Sequence, residues 1–250
     1  MGLIAALAFL TALPVSRREA SAGARARALW AFPLVGALIG GLLVVLDLAL
    51  SPVLPVGPRT VLLLIALAAV TRGLHFDALM DVCDGLFGGF TPERRLAIMR
   101  DSHAGAFGVL GAALDLLLRY AALTALGGHW RVAGLLLPAI AGRWAMTIAI
   151  VAFPYARPEG LGRAFKDAAG WRNVAGAALV ALALATVAWW PGGAAVLLLA
   201  LLALLLGAWF MLRRLPGLTG DCYGALNELV EGVVLVAIVV AQALVIGGQR

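Results

Sequence analysis

Apolar runs about as long as the 20 or so residues that cross a bilayer alternate with short polar segments along almost the whole chain. They lie at roughly 28–53, 60–82, 103–127, 133–153, 174–190, 194–212 and 228–247, which predicts about seven transmembrane helices. A further apolar stretch at 3–14 ends on Pro14. It is too short for a comfortable span and predicts a short N-terminal re-entrant or interfacial helix. Arg17 and Arg18 follow this stretch instead of preceding it, the reverse of a signal peptide's order. The expected fold class is therefore all-α: a polytopic integral membrane protein forming one membrane-embedded domain over residues 1–250.

Composition narrows this further. At 63% hydrophobic and 13% charged residues, a single soluble domain is excluded. The net charge of +6 would suit nucleic-acid binding only with a basic face on a soluble fold, and here the arginines sit mostly between apolar runs. One set of connecting segments holds Arg17, Arg18, Arg25 and Arg27, then Arg94, Arg95 and Arg100, then Arg157, Arg163, Lys166 and Arg172, then Arg213 and Arg214. The alternate set holds Arg59, Arg131 and Arg250. Positive charge collects on the cytoplasmic side of membrane proteins, so the first set is expected to face the cytoplasm. Cys83 and Cys222 then lie on that side too, which argues against a disulfide.

Against this background the carboxylates between 75 and 108 need a reason. If 77–84 is helical, Asp77, Asp81 and Asp84 fall at i, i+4 and i+7 on one face. Like charges so placed repel, and aspartate near hydrocarbon is normally kept for a partner or a function. Few carboxylates with open positions for water and phosphate suit Mg²⁺, with Mn²⁺ as the alternative. Asp77 and Asp84 are about 10 Å apart along a helix axis, which leaves one ion or two open, with Asp81 as the bridging candidate. Asp101, in Arg100-Asp101-Ser102, is either a fourth ligand or a helix N-cap. The loop Thr91-Pro92-Glu93-Arg94-Arg95 reads as a short helix start, its arginines either leaflet anchors or phosphate binders.

A second polar cluster opens the last span: Thr219, Asp221, Glu228 and Glu231. The acids share a face if that helix begins early. The glutamates either complete a metal site, supply a general base, or pair with Arg143 or Arg72. Asp115 and Arg119, at i and i+4, are expected to neutralise each other.

These motifs resemble those of the cobalamin synthase family, adenosylcobinamide-GDP ribazoletransferase. The family pattern H-x-D-G-L-A-D-x-x-D-G is matched by His75, Asp77, Leu79, Asp81, Asp84 and Gly85. R-D-S-x-x-G-x-x-G is matched by Arg100, Asp101, Ser102, Gly105 and Gly108. G-L-T-G-D-x-x-G-A-x-x-E-x-x-E is matched from Gly217 through Thr219, Asp221, Gly224, Glu228 and Glu231. Ala78 and Met80 stand where the pattern has Gly and Ala, and Ala97 where an acid is expected.

The resemblance implies transfer of phosphocobinamide from adenosylcobinamide-GDP to α-ribazole or its 5′-phosphate, with release of GMP. The metal set it implies is Asp77, Asp81, Asp84 and Asp101, with Asp81, Asp84, Asp221 and Glu228 in catalysis. Substrate contacts fall to His75, Arg95, Arg100, Ser102, Thr219, Asp221 and Glu231. The expected location is the inner (plasma) membrane with the site facing the cytoplasm. Expected partners are the two substrates and the bilayer, with a homo-oligomer left open and nucleic acid excluded.

Two other readings remain to be weighed. The D-x-x-D-G core is also similar to that of CDP-alcohol phosphotransferases, whose following Ala-Arg is Gly88-Gly89 here. A cation-coupled transporter expects midplane sites between inverted repeats, and no repeat is visible.

Overall fold

The computed structural model describes residues 2–15 and 20–247, all of whose regular elements are helices. Arg17, Arg18 and Arg250 lie outside the described residues. The helices are α1 (Gly2–Leu10), α2 (Ala22–Leu50), α3 (Val56–Thr71), α4 (Leu74–Gly88), α5 (Pro92–Ile98), α6 (Ala106–Ala125), α7 (Gly128–Ala152), α8 (Leu161–Ala168), α9 (Trp171–Ala188), α10 (Gly192–Leu212) and α11 (Gly220–Gly247). Six are each long and apolar enough to cross a membrane, and α3 with α4 makes a seventh, bent pair. The protein is a polytopic helical membrane protein.

The apolar run at 60–82 is not one straight span. α3 and α4 meet at 89°, because Arg72 (φ 54°) and Gly73 (φ 65°) both take the left-handed conformation. Gly73 does so without a Cβ penalty and ends α3 as a C-terminal cap, its N–H donating to the Ala68 carbonyl at 2.8 Å. Hydropathy averages over such a backbone break and cannot register it. The break swings the aspartates of α4 away from the axis of α3 and lays them against other helices.

α7 is the buried centre, with α2 and α11 packed along it. With no hydrophobic drive between helices in lipid, close backbone approach through small residues provides the contact. A Cβ on Gly36 of α2 would stand 2.2 Å from the Ala139 carbonyl oxygen of α7, and one on Gly40 2.7 Å from that of Leu135. α1, nine residues long, is shorter than the ~20 residues a span needs; it lies on α2 and packs Phe9 against Phe32 and Phe165, at 5.9 and 4.7 Å between centroids.

The two ends of the bundle differ in how their charge is handled. At one end, buried Asp47 takes Arg59 at 2.8 Å and Arg131 at 2.7 Å, so the basic residues described there are neutralised internally. At the other end gather α1, α4, α5, α8, the start of α11, and most loop arginines.

Candidate active site

α4 forms over the D-x-x-x-D-x-x-D stretch, so its three aspartates do share a face. That face runs from solvent into the protein: Asp77 is exposed, Asp81 half-buried and Asp84 buried. α11 begins at Gly220, eight positions before the start hydropathy suggests, and this brings Asp221, Glu228 and Glu231 onto one helix. α4 and α11 cross closely, since a Cβ on Gly224 would lie 2.5 Å from that of Ala78. A small residue at 78 is tolerated because the facing position is glycine.

Asp84 is engaged with backbone. Its carboxylate accepts from the Gly105 and Gly108 amides at 2.7 and 2.8 Å, capping the first turn of α6 from another helix. A Cβ on either glycine would fall within 2.4 Å of those oxygens, which is why both positions lack one. The cap expected of Asp101 is thus supplied by Asp84 instead. Asp101 sits in an exposed loop, accepts from His103 Nδ1 at 2.6 Å, and is held below the usual carboxylate range by that hydrogen bond. It is not brought to the other aspartates.

Asp81 feels the charges of Asp221, Asp77 and Asp84, with Arg157 as the opposing cation. Arg157 is already paired with Asp221 at 3.0 Å. Its placement follows from a short tie: the Ala156 amide donates to the Leu218 carbonyl, and the Leu218 amide to that of Pro154, both at 2.8 Å. Gly217 permits the approach, because a Cβ there would stand 2.9 Å from the Pro154 oxygen. Buried Thr219 caps α11, accepting from the Cys222 amide at 3.2 Å and donating to Asp221 at 3.2 Å.

The negative excess around Asp81, all hard oxygen donors, suits a divalent cation. Among the described residues no three His, Cys, Asp or Glu side chains already form a metal-sized group, as the engagement of Asp84 and Asp101 elsewhere would lead one to expect. Asp77 and Asp221, which line one cavity, are the acids whose charge Asp81 feels most.

Behind this cluster lies a buried ionic network that sequence reasoning foresaw only in pairs. Arg119 does bind Asp115, at 2.6 Å, and it also binds Glu228 at 2.6 Å and Glu231 at 2.7 Å. Arg143 bonds the other oxygen of Glu231, the pairing expected of it, while Arg72 is exposed at the α3–α4 break. Asn227 donates to both glutamates at 2.9 Å. His75 joins through Nδ1, which faces Arg143 Nη2 at 3.4 Å and Glu228 Oε1 at 3.6 Å. Glu228 and Glu231 are therefore sunk in an arginine cage.

The remaining sequence candidates scatter. Arg95 donates to the carbonyls of Gly89 and Arg214 at 2.9 and 3.0 Å, fastening the α4–α5 turn to the end of α10. Arg100 and Ser102 are exposed in the loop before α6. Arg157 was missed; its one signal is a basic residue inside the Tyr155–Gly162 loop.

Between α1, α4, α7, α8 and α11 lies a cavity of about 180 Å³ with mainly apolar and aromatic walls. Asp77, Asp221 and His75 also line it, so the carboxylate cluster and the ionic network meet at its surface.

A family model described as "CobS: Cobalamin-5-phosphate synthase" matches residues 2–239. Among similar curated proteins, an adenosylcobinamide-GDP ribazoletransferase of Roseiflexus sp. (strain RS-1) is 41% identical over 92% of this chain and 86% of its own. Others so named are 37% identical in Desulforamulus reducens, over 96% of both chains, and 41% identical in Bradyrhizobium diazoefficiens, over 92% of this chain and 90% of that one. No solved structure matches.

Proposed function

The chain belongs to the cobalamin-5-phosphate synthase family, and on that premise we propose that it is an adenosylcobinamide-GDP ribazoletransferase. It transfers phosphocobinamide from adenosylcobinamide-GDP to a ribose hydroxyl of α-ribazole or its 5′-phosphate. The products are adenosylcobalamin, or its phosphate, and GMP. The observation that carries this reading is the junction of carboxylates from α4 and α11, beside one paired arginine, at the wall of an apolar cavity.

The attacking hydroxyl forms a new bond to the phosphorus that carries the cobinamide, and the bridging P–O bond breaks with its electron pair leaving on GMP. The hydroxyl proton needs an acceptor within hydrogen-bond reach. Asp221 fits that role, because it lines the cavity and is held by Thr219 and Arg157. Arg157 faces the same point with a guanidinium fork matched to phosphate oxygens. Asp77 and Asp81 would hold Mg²⁺. A divalent ion there supplies charge neutralisation to the phosphoryl oxygens and the departing GMP. Asp84 positions the start of α6, and Glu228 acts through His75 and Arg119. Much of the rate is expected from orientation of the two substrates.

The loop arginines at this end of the bundle support a cytoplasmic active site in the inner membrane. The reading is tested with purified protein in lipid nanodiscs, adenosylcobinamide-GDP, α-ribazole phosphate and Mg²⁺, with GMP followed by mass spectrometry. GMP should appear only with both substrates, should vanish with EDTA, and should not form from CDP-diacylglycerol-type donors. Undiminished turnover in EDTA, or full activity of Asp81→Ala, would refute the metal assignment.

A further inference from the structure

α6 and α10 both pack on α11 but scarcely touch each other, which leaves a groove down the outside of the bundle with α11 as its floor. Midway along, the groove widens to about 300 Å³, walled by Leu118 of α6 and Leu199 of α10 and floored by Gly232, Val233, Val236 and Ala237. Leu229, Val236 and Val240 face outward along that floor and are 39–51% exposed. Spaced at i, i+7 and i+11, they form one stripe of the helix. Asp115 Oδ1 would stand 3.8 Å from a Cβ on Gly232, but Arg119 already neutralises it.

Toward the arginine-rich end the groove closes on three rings. Phe87 of α4 stands between Phe107 of α6 and Phe210 of α10, at 6.0 and 6.3 Å between centroids. The mouth beyond them is cationic, because α10 runs straight into Arg213 and Arg214. The Arg214 guanidinium lies 3.7 Å from the centre of the Phe210 ring and donates to the Phe210 carbonyl at 2.9 Å. That of Arg213 lies 5.0 Å from the centre of the Trp209 ring. Neither arginine is ion-paired among the described residues. A guanidinium has five N–H donors, and a ring beneath it orients the fork without using them. Both therefore keep donors for an anion. Phe90 and Trp209, 92% and 56% exposed, are the aromatic residues expected at headgroup level.

Length and charge together identify the occupant. Leu199 lies 14 positions before Arg213, about 21 Å along a helix axis. Half of a bilayer, headgroups included, is about 20–22 Å thick. A lipid with its phosphate at the two arginines would thus end its acyl chain beside Leu199, where the groove widens. A second copy of this chain inserted in parallel would bring its own arginines to the same level, whereas a phosphodiester brings the opposite charge.

We infer that this groove binds one anionic phospholipid, its phosphate held by Arg213 and Arg214 and an acyl chain laid along α11 between α6 and α10. The inference does not depend on the transferase reading. The occupant has something to act on: Phe107 precedes Gly108, whose amide donates to Asp84 at 2.8 Å, and Phe87 follows Asp84 by three residues. Lipid packed on those two rings braces the contact between α4 and α6 that Asp84 makes.

The test is native mass spectrometry of the full-length protein, released from micelles doped with equal amounts of phosphatidylglycerol and phosphatidylcholine of the same acyl chains. Wild type should retain one phosphatidylglycerol and prefer it by roughly 25-fold, about fivefold for each arginine. The double variant Arg213→Gln/Arg214→Gln should abolish the preference. Arg172→Gln, at an exposed arginine of α9, should leave it unchanged, and Val236→Trp should lower retention of both lipids by filling the groove. Equal retention of the two lipids by wild type, a comparison that needs no variant, overturns the inference, as does an undiminished preference in the folded double variant. An equal loss with Arg172→Gln assigns the effect to general surface charge and overturns the site. Undiminished retention by a folded Val236→Trp overturns the groove, and a dimer free of lipid makes it an interface between copies instead.

Discussion

Arg119→Met is the perturbation that most directly probes how this site is held. Arg119 is 4% exposed and makes three ion pairs at 2.6–2.7 Å, to Asp115, Glu228 and Glu231. In the wild type Arg119 pairs with all three carboxylates and Arg143 with Glu231 as well; after the substitution only the Arg143–Glu231 pair remains. Removing one partner of a buried ion pair costs about 3–5 kcal/mol, because the remaining charge stays buried without compensation. At 2–4 °C per kcal/mol for a chain of this size, melting should fall by roughly 10 °C. Unfolding in mixed micelles can be followed by the fluorescence of the seven tryptophans. The sign of the coupling is the sharper measurement. Adding Glu228→Gln to Arg119→Met removes a stranded charge, so the double variant should be less destabilised than the sum of the singles. A loss below about 1 kcal/mol for Arg119→Met, or additive singles, would refute the view that this network is an electrostatic unit.

Other expectations follow from the same geometry. Asp84→Ala removes the cap on α6 and should cost about 1–2 kcal/mol, with faster hydrogen exchange at the Gly105 and Gly108 amides that it accepts from. Gly108→Ala would press a Cβ to 2.3 Å from an Asp84 oxygen and 2.9 Å from the Met80 carbonyl oxygen; a loss of about 1–3 kcal/mol is expected, and an unchanged melting temperature would contradict the close packing. Lys166 donates to the Val151 and Phe153 carbonyls at 2.8 Å, so Lys166→Met should cost about 1 kcal/mol by exposing the C-terminus of α7. Arg157→Leu should leave melting within about 1 kcal/mol while lowering GMP release by a factor of roughly 10–100, as loss of a charge-assisted phosphate contact would.

Helix number, membrane class and the identity of the polar clusters were readable because each depends on local composition. Twenty apolar residues in a row leave a backbone few options in lipid except helix, and three aspartates at i, i+4 and i+7 share a face wherever that helix sits. The fold-back at Arg72-Gly73 was not readable from hydropathy, since a left-handed pair changes direction without changing polarity. Asp101 misled for a related reason. It has the right residue type at the right distance from an apolar helix to be its cap, but Asp84, far off in sequence, reaches those amides first.

The sequence by itself determined the membrane-spanning class, the resemblance to cobalamin synthases and the acids that matter, because all three are carried by residue types and short spacings. Only the tertiary structure decided what each acid does. Whether a carboxylate caps a helix, pairs with an arginine or faces a cavity depends on which chain segments meet it in space. Asp84 meets the start of α6 and Glu231 meets Arg119 and Arg143. Asp81 feels the charge of Asp221 across α4 and α11, because glycine at 224, where a Cβ would stand 2.5 Å from that of Ala78, lets the two helices pack closely.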